Sequence, residues 1–329
     1  MVRVLVTGGA GFIGSHYVRS ALSGRYPQLE DAEIIVLDKL TYAGNWSNLA
    51  PVADSPRLRF VEGDILDADL VDRLTGESDD VVHFAAESHV DRSIAGAAEF
   101  VVTNVVGTQT MLDAALRHEV RKFVHVSTDE VYGSIDSGSW PEIHPLEPNS
   151  PYSASKAGGD LIARAYHRTH GLPVSITRCS NNYGPYQLPE KVIPLFVTNL
   201  LDDRSVPLYG DGGNVREWLH VDDHCLGVEL VRGAGRPGEV YNIGGGIELT
   251  NRELTERLLD ACDAGWDRVE MVTDRKGHDR RYSVDSSKIS TELGYQPATP
   301  FDRGLADTVA WYKANRAWWE PLRARLGSV

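Results

Sequence analysis

The chain begins with Val2-Arg3-Val4-Leu5-Val6-Thr7-Gly8-Gly9-Ala10-Gly11-Phe12-Ile13-Gly14, and this stretch indicates the fold class. Its largely apolar start predicts a buried parallel strand, and a helical pattern follows at 15–22. Gly8, Gly11 and Gly14 have the G-x-x-G-x-x-G spacing, which permits a tight turn, close approach of a pyrophosphate to the backbone, and close helix–strand packing. The stretch therefore predicts a β-α-β unit that binds a dinucleotide.

A second apolar run, 34–37, ends in Asp38. A carboxylate at this point can accept hydrogen bonds from the ribose diol of adenosine and would repel a 2′-phosphate, so the sequence favours NAD over NADP. The neighbouring Lys39 slightly weakens this discrimination against NADP. A glycine-rich turn without a ligand is the alternative, which the order of strand, glycines, helix, strand and acid disfavours.

Strand and helix patterns alternate over the first half of the chain. Apolar strand candidates are 57–62, 81–85, 122–127 and 174–178, and helical patterns lie at 68–74, 97–118 and 152–170. This alternation predicts an α/β fold with a Rossmann-type doubly wound parallel sheet. Because ligands bind beyond the carboxyl ends of the strands in such sheets, the polar residues that follow each strand are candidate site residues.

The alternation loosens after about Asn182, where several prolines interrupt the pattern. We therefore expect residues 1–181 to form the NAD-binding Rossmann domain, rejoined by segments near 215–247. Residues 182–329 should form mainly a smaller, interleaved C-terminal substrate domain. A strand predicted at 239–243 is a candidate to return to the main sheet.

Two further helices are predicted near the C-terminus. Thr250 is expected to cap a helix that runs to Asp263, with Glu253 as its capping-box partner. The segment 311–326, with two adjacent tryptophans and several arginines, is expected to be an amphipathic terminal helix that packs on the body.

The composition limits the class of protein. The fractions of 42% hydrophobic and 24% charged residues are ordinary for a globular protein, and the net charge of -14 argues against a nucleic-acid partner. Cys179, Cys225 and Cys262 are widely spaced without metal-type pairing, so we expect free thiols, no metal site and a reducing compartment. The N-terminal strand leaves no signal peptide and no apolar run approaches ~18 residues, which predicts a cytoplasmic protein without a membrane span.

Tyr152 and Lys156 lie four residues apart, so a helix would place both side chains on one face. An ammonium beside a phenol favours the phenolate, which predicts a base usable near neutral pH from a group that normally titrates near pH ~10. Thr128, Asp129 and Glu130 add a hydroxyl and two carboxyl groups after the strand at 122–127. Such a pair of carboxyl groups can remove one proton and donate another.

Four segments then carry a resemblance to a known family: Asp38-Lys39-Leu40-Thr41-Tyr42-Ala43-Gly44-Asn45, Ala85-Ala86-Glu87-Ser88-His89-Val90-Asp91-Arg92-Ser93, 127–133, and Arg178-Cys179-Ser180-Asn181-Asn182-Tyr183-Gly184-Pro185. From Val4 to about Trp311 the chain resembles the extended short-chain dehydrogenase/reductase family. Within it, the sequence is similar to the nucleotide-sugar 4,6-dehydratases that act on dTDP-glucose. The resemblance implies a lyase that removes water from a nucleoside-diphosphate hexose and uses NAD as a temporary hydride store.

The same resemblance implies a role for each catalytic candidate. Tyr152 takes the C4 hydroxyl proton, Thr128 hydrogen-bonds that hydroxyl, Glu130 removes the C5 hydrogen, and Asp129 protonates the departing C6 hydroxyl. Asp129 must then hold a proton near neutrality, so we expect burial or the charge of Glu130 to raise its pKa. Adjacent strand residues face opposite sides, so both carboxyl groups reach one sugar only if the chain turns there.

Further site residues are implied by the resemblance alone. The implied cofactor residues are Gly8, Gly11, Phe12, Ile13, Gly14, Asp38, Lys39, Leu40, Thr41, Asp64, Ile65, Phe84, Ala85, Ala86, Ser88, Thr103, Tyr152, Lys156 and Asn182. The implied substrate residues are Ser88, Thr128, Asn181, Lys191, Val192, Pro207, Leu208, Tyr209, Arg216, Asn251, Asp274, Arg275, His278 and Tyr282. Lys276 replaces a proline that relatives commonly have in the diphosphate loop, so we expect a looser loop there.

Several related activities compete with this interpretation. A nucleotide-sugar 4-epimerase shares the Tyr, Lys and NAD but needs neither Asp129 nor Glu130, and a UDP-glucuronate decarboxylase needs no C6 proton donor. A GDP-mannose 4,6-dehydratase favours NADP, against which Asp38 argues. A redox sensor that binds NAD without catalysis does not need a base that works near neutral pH. The preference for thymine over uracil rests on the resemblance alone.

The resemblance also implies a homodimer with a two-fold symmetric four-helix interface formed by 97–118 and 152–170. Apolar residues recur there at helical spacing, namely Val101, Val105, Leu112, Leu161 and Ala165. The alternative is that these helix faces only pack on the sheet.

Overall fold

The computed structural model describes residues 2–326. The strands are β1 Arg3–Thr7, β2 Glu33–Asp38, β3 Leu58–Glu62, β4 Asp80–His83, β5 Lys122–Thr128, β6 Val174–Cys179, β7 Asn181–Tyr183, β8 Val206–Tyr209, β9 Val215–His220, β10 Val240–Ile243, β11 Ile247–Thr250 and β12 Val269–Val272. The α-helices are α1 Phe12–Leu22, α2 Ala68–Gly76, α3 Val90–Ala95, α4 Ala98–Val101, α5 Thr108–Arg117, α6 Pro151–His170, α7 Val192–Leu201, α8 Val221–Ala234, α9 Asn251–Ala261, α10 Ser287–Leu293, α11 Phe301–Ala314 and α12 Arg316–Leu326.

The main sheet has seven strands in the order β10-β6-β5-β4-β1-β2-β3, and every neighbouring pair in it is parallel. Side chains alternate along β1, so Val4 and Val6 pack in one core with α1 and α8, whereas Leu5 packs in another with α2, α5 and α6. The sheet therefore has helices on both faces, which confirms the predicted doubly wound α/β fold. The predicted return of 239–243 is also confirmed, because β10 pairs with β6.

The second half of the chain supplies two small sheets and a third core. β7, β9 and β11 form one sheet, and β8 pairs with β12 in the other. The third core contains residues of α7, α9, α11 and α12, including Phe196, Leu258, Val309 and Trp319. This core occupies the part of the sequence for which a smaller substrate domain is predicted, while β10 belongs to the main sheet.

The predicted helices are present, but two of them are interrupted. Thr250 and Glu253 form the predicted capping box at the start of α9. The prediction of one terminal helix over 311–326 is wrong, because Asn315 leaves helical geometry (φ -119°) and separates α11 from α12. The prediction of one regular helix over 97–118 is also incomplete, because a π-helix, Val102–Gly107, separates α4 from α5. No helix within residues 2–326 is long and apolar enough to cross a membrane.

The residues predicted to face a partner subunit differ in exposure. Val101 and Leu161 are about half exposed, at 48% and 55%, and Ala165 is exposed. Leu112 is fully buried in the core between α5 and the sheet. Its assignment to a dimer face is therefore wrong, because its position on the helix points toward the strands.

Candidate active site

Two connected pockets lie at the carboxyl ends of the parallel strands, and we call them the inner and the outer pocket. The inner pocket is lined by the glycine turn, the end of β2, the segment after β4, and the start of α6. Its lining contains these predicted cofactor residues: Gly8, Gly11, Phe12, Ile13, Gly14, Asp38, Lys39, Thr41, Asp64, Ile65, Phe84, Ala85, Ala86, Ser88, Thr103, Tyr152, Lys156 and Asn182. Leu40 does not line the pocket, so its cofactor contact stays a prediction; it has φ +53° and donates its backbone N–H to Asp38 Oδ1 at 2.8 Å.

The glycine turn brings backbone close to the pocket. Gly8 has φ +67°, and a Cβ at this position would lie 2.6 Å from the backbone nitrogen of Ala85. A Cβ on Gly14 would collide with the carbonyl oxygen of Gly8. No side chain caps the N-terminus of α1 at Gly11, so the first N–H groups of this helix remain available to an anion. The turn therefore has the shape and polarity that a pyrophosphate requires.

Asp38 closes the edge of the inner pocket. Its carboxylate is buried and accepts hydrogen bonds from the backbone N–H groups of Ala10 at 2.9 Å and Leu40 at 2.8 Å. Burial raises the pKa of Asp38, while these hydrogen bonds oppose that increase. Lys39 forms an ion pair with Asp64 at 2.6 Å, so its ammonium is engaged beside the predicted ribose site.

The carboxyl pair lies on a turn. A 3₁₀ helix, Asp129–Tyr132, starts where β5 ends, so Asp129 and Glu130 both line the inner pocket, and the turn that the sequence requires is present. Thr128 organises the pair: its hydroxyl lies 3.2 Å from Asp129 Oδ1, to which it donates, and accepts the N–H of Glu130 at 3.3 Å.

The carboxyl groups of Asp129 and Glu130 differ in their electrostatic surroundings. Burial raises the pKa of Asp129 well above its ordinary value, and the charge of Glu130 adds to this, which confirms the expected direction. Burial also raises the pKa of Glu130, but Arg275, Arg216 and Lys191 oppose the increase. Asp129 Oδ2 has no hydrogen-bond partner among residues 2–326. The surroundings therefore favour a protonated Asp129, whereas at Glu130 three positive charges partly offset the effect of burial.

The start of α6 holds the phenol and the ammonium. Ser150 caps this helix by accepting the N–H of Ser153 at 3.0 Å, and Tyr152 and Lys156 are both buried one turn apart. Lys156 Nζ donates to the carbonyl of Val126 at 2.8 Å. Burial raises the pKa of Tyr152, with the charge of Glu130 as a further cause. Burial therefore opposes the phenolate form that Lys156 is expected to favour.

The π-helix positions a residue that the sequence analysis did not identify. Asn104 is buried, accepts the N–H of Glu87 at 2.8 Å, and donates to Glu87 O at 3.0 Å and to Ser155 Oγ at 2.8 Å. It thereby ties the segment after β4 to α6. A π-helical turn often marks a functional site, but the helical pattern of 97–118 carries no signal of the extra residue.

The outer pocket continues from the inner one, and the two share Ser88, Glu130, Asn181, Asn182, Gln187, Glu190 and Lys191. Its lining contains the predicted substrate residues Ser88, Asn181, Lys191, Val192, Pro207, Tyr209, Arg216, Asn251, Arg275, His278 and Tyr282. Thr128 lines the inner pocket only. Gln187 and Glu190 were not identified from the sequence, because they lie in a segment interrupted by prolines that has no helical or strand pattern.

Two predicted substrate residues do not line either pocket. Leu208 is buried in β8 with the opposite orientation to Pro207 and Tyr209, because neighbouring strand residues face opposite sides. Asp274 contacts His278 instead, with its Oδ1 2.6 Å from His278 Nδ1. The structure therefore does not bring these two side chains to the pockets, and their contacts to a ligand stay predictions.

The basic wall of the outer pocket is anchored at Asp279. Arg216 is buried, donates to the carbonyl of Asp279 at 3.0 Å, and has its guanidinium carbon 4.3 Å from the centre of the Tyr282 ring. The Asp279 carboxylate accepts from Asn149 at 2.6 Å and from the Tyr282 hydroxyl at 2.5 Å. These contacts hold one end of the loop that contains Lys276, although the loop lacks the proline.

The parallel sheet, the glycine turn and the Tyr152–Lys156 helix together define an extended short-chain dehydrogenase/reductase. Residues 5–308 match a family model described as GDP-mannose 4,6 dehydratase, and the chain belongs to this family. A dTDP-glucose 4,6-dehydratase from Streptomyces antibioticus is 67% identical over 98% of this chain and 96% of its own length.

Solved structures agree with this assignment. DesIV, a dTDP-glucose 4,6-dehydratase from Streptomyces venezuelae crystallised with NAD and TYD, has a TM-score of 0.97 and 68% identity over 98% of this chain and 100% of its own. A UDP-glucose 4-epimerase from Thermotoga maritima, solved with UDP-glucose, has a TM-score of 0.88 and 30% identity over 96% of this chain and 100% of its own.

Proposed function

We propose that the protein is an NAD-dependent dTDP-glucose 4,6-dehydratase, a lyase that converts dTDP-glucose to dTDP-4-keto-6-deoxy-glucose and water. The observation that carries this proposal is the pair Asp129 and Glu130, which line one pocket with Tyr152. Burial favours the protonated form of Asp129, so the pair can supply both an acid and a base. The dTDP-glucose 4,6-dehydratases at 67% and 68% identity support the substrate.

The residues of the inner pocket fit NAD. The glycine turn leaves no space for a Cβ at Gly8, the N-terminus of α1 offers N–H groups to a pyrophosphate, and Asp38 lies where a ribose diol would be bound. NAD held by these residues would supply the acceptor for the hydride of C4 and its donor to C6, so the reaction would have no net redox change. The proton steps fall to the protein.

Three side chains divide these proton steps. Tyr152 removes the C4 hydroxyl proton, with Thr128 as a hydrogen-bonding partner of the same hydroxyl. The resulting ketone acidifies the C5 hydrogen, which Glu130 removes as base, while Asp129 protonates the C6 hydroxyl as it departs. The positive charges of Arg275, Arg216 and Lys191 favour the ionised form of Glu130, as this division requires.

The outer pocket suits the nucleoside diphosphate. Lys191, Arg216 and Arg275 line it, and guanidinium groups bind phosphate oxygens in a bidentate manner. Tyr209 and Asn251 lie in the same lining, where a ring could stack on the base and an amide could bind it.

The 4-epimerase remains the alternative, because an epimerase structure has a TM-score of 0.88. An epimerase has no step that uses Asp129 as an acid, so the protonated carboxyl group would be without a role. We therefore favour the dehydratase.

Mass spectrometry of sugar nucleotides separates these activities. After incubation with dTDP-glucose, we expect a product that has lost one water, without accumulation of NADH. An epimerase would leave the mass unchanged, and a decarboxylase would act on UDP-glucuronate instead with loss of carbon dioxide. Tyr152→Phe serves as the control and should show no product.

A homodimer in the cytoplasm is part of the same proposal. The exposed apolar side chains Val101 and Leu161 support an interface formed by α4, α5 and α6, as the family resemblance implies, and the three cysteines are free thiols. Sedimentation should show a dimer at micromolar concentration, and Leu161→Asp should convert it to a monomer. A wild-type monomer would contradict the interface.

A further inference from the structure

Two residues that the proposed chemistry leaves without a role meet in the structure. Tyr42 lies in the segment 38–45 and Arg92 in the segment 85–93. The guanidinium carbon of Arg92 lies 4.0 Å from the centre of the Tyr42 ring, which is within the range of a cation–π contact. The contact joins two chain segments that each border the inner pocket.

Each of these side chains also holds a carboxylate in the pocket wall. The Tyr42 hydroxyl donates to Glu87 Oε2 at 3.0 Å, and Arg92 donates from Nε and Nη2 to Glu190 Oε2 at 3.3 and 3.1 Å. Glu87 lines the inner pocket, and Glu190 lines both pockets. The four side chains form a continuous chain, Glu87–Tyr42–Arg92–Glu190, which we call the strap.

The strap joins three edges of the inner pocket. Tyr42 is flanked by two lining residues, Thr41 and Ala43, and Glu190 is followed by Lys191, whose ammonium donates to the carbonyl of Ser88 at 2.7 Å. The segment after β2, the segment before α3 and the segment before α7 are therefore held together. They can separate at this edge only if the strap contacts break.

The Arg92–Glu190 pair is better protected than an ordinary surface ion pair. The Glu190 side chain is only 8% exposed, whereas Arg92 is 42% exposed. By comparison, the Arg117–Asp72 pair, which joins α5 to α2, has exposures of 54% and 39%. Solvent screens a protected pair less strongly. The strap contacts therefore hold the edge of the pocket more firmly than the same number of exposed contacts would.

We propose that the strap retains NAD in the inner pocket throughout the catalytic cycle, with Arg92 as a positioning residue. This inference rests on the proposed function, because a hydride removed from C4 must return to C6 of the same sugar. Release of the cofactor between those steps would leave a 4-keto sugar that cannot be completed. A closed edge of the inner pocket prevents that release.

Cofactor loss without substrate tests the strap directly. Wild-type protein, Arg92→Gln, Tyr42→Leu and the control Arg117→Gln would be loaded with NAD, freed of excess by gel filtration, and followed for NAD release over time. We expect Arg92→Gln and Tyr42→Leu to lose NAD roughly tenfold faster than wild type, which corresponds to about 1.4 kcal/mol. Arg117→Gln should stay within about twofold of wild type.

A second pair of measurements separates retention from general stability. Arg92→Lys keeps a charge for Glu190 but lacks the planar group that stacks on Tyr42, so its NAD loss should be intermediate. Added NAD should restore turnover to Arg92→Gln but not to Tyr152→Phe. Wild-type rates of NAD loss in Arg92→Gln would overturn the proposal, as would a lowered Tm of the NAD-free variant without faster release.

NAD retention and dehydratase activity are tested by separate measurements. NAD release is measured without any sugar nucleotide, so a failure to dehydrate dTDP-glucose leaves the retention result intact. If Arg92→Gln does not fold, Tyr42→Leu tests the same strap from the other segment.

Discussion

The carboxylate of Asp38 accepts a hydrogen bond from the backbone N–H of Ala10 at 2.9 Å, so the acid at the end of β2 also fixes the glycine turn after β1. A single residue therefore joins the predicted ribose contact to the predicted pyrophosphate contact. This arrangement leaves little freedom to change the preference for NAD without disturbing the turn.

Asp38→Ala should weaken NAD binding about tenfold or more, because it removes an ionised hydrogen-bond acceptor, and it should reduce the discrimination against NADP. Titration of the NAD-free protein with NADH and NADPH, followed by cofactor fluorescence, gives both affinities. Arg117→Gln is the control: its exposed ion pair with Asp72 is outside the lining of the inner pocket, so the affinity for NADH should change little. An unaltered NADH-to-NADPH ratio in Asp38→Ala would contradict the assignment.

Arg178 and Asp160 form a buried ion pair beneath the site, with Arg178 Nε 2.8 Å from Asp160 Oδ2. Asp160→Asn should lower the free energy of unfolding by about 3–5 kcal/mol, because it leaves the guanidinium without its buried counter-charge. Denaturant unfolding measures the loss. Arg117→Gln, which breaks an exposed pair, should cost only about 0–1 kcal/mol. Equal losses in the free energy of unfolding for the two variants would show that the buried pair stabilises the fold no more than the exposed pair does.

The sequence predicted the parts of the fold and of the site that depend on local chemistry. Gly8 must have a positive φ and no side chain, and Thr250 and Glu253 satisfy each other's backbone N–H groups across one turn. Such requirements act within a few residues, so the residue types alone reveal them.

The parts that were missed depend on distant partners. Asn104 has its role only because Ser155 and Glu87 come within hydrogen-bonding distance, and no local pattern encodes that meeting. Leu208 was assigned to the site from its position in a motif, whereas the register of β8 turns its side chain into the core. Likewise, the pKa of Tyr152 depends on how completely the fold excludes water around it.

The raised pKa of Asp129 predicts a dependence of stability on pH. The folded-state pKa lies above the unfolded value, so the folded protein binds more protons and its stability falls as pH rises from the unfolded to the folded pKa. Asp129→Asn removes the cost of the buried charge above that window. Its Tm should exceed that of the wild type at pH 8, by about 2–4 °C for a gain of ~1 kcal/mol, and the difference should vanish below pH ~4. A rise in Tm that is the same at every pH would contradict this explanation.

The two amide variants should stop the reaction at different steps. Glu130→Gln removes the base, so oxidation at C4 should proceed while exchange of the C5 hydrogen with deuterated solvent is lost. Asp129→Asn keeps the base but lacks the proton donor, so a substrate with fluoride at C6 should partly restore turnover, because fluoride needs less protonation to depart. The losses in kcat should be at least ~10²-fold, measured by product formation and by mass spectrometry of deuterium at C5.

Tyr152→Phe, the control, should leave bound NAD oxidised when substrate is added. If the fluoro sugar rescues Glu130→Gln rather than Asp129→Asn, the roles of the two carboxyl groups are reversed; if neither amide blocks turnover, the protein is an epimerase.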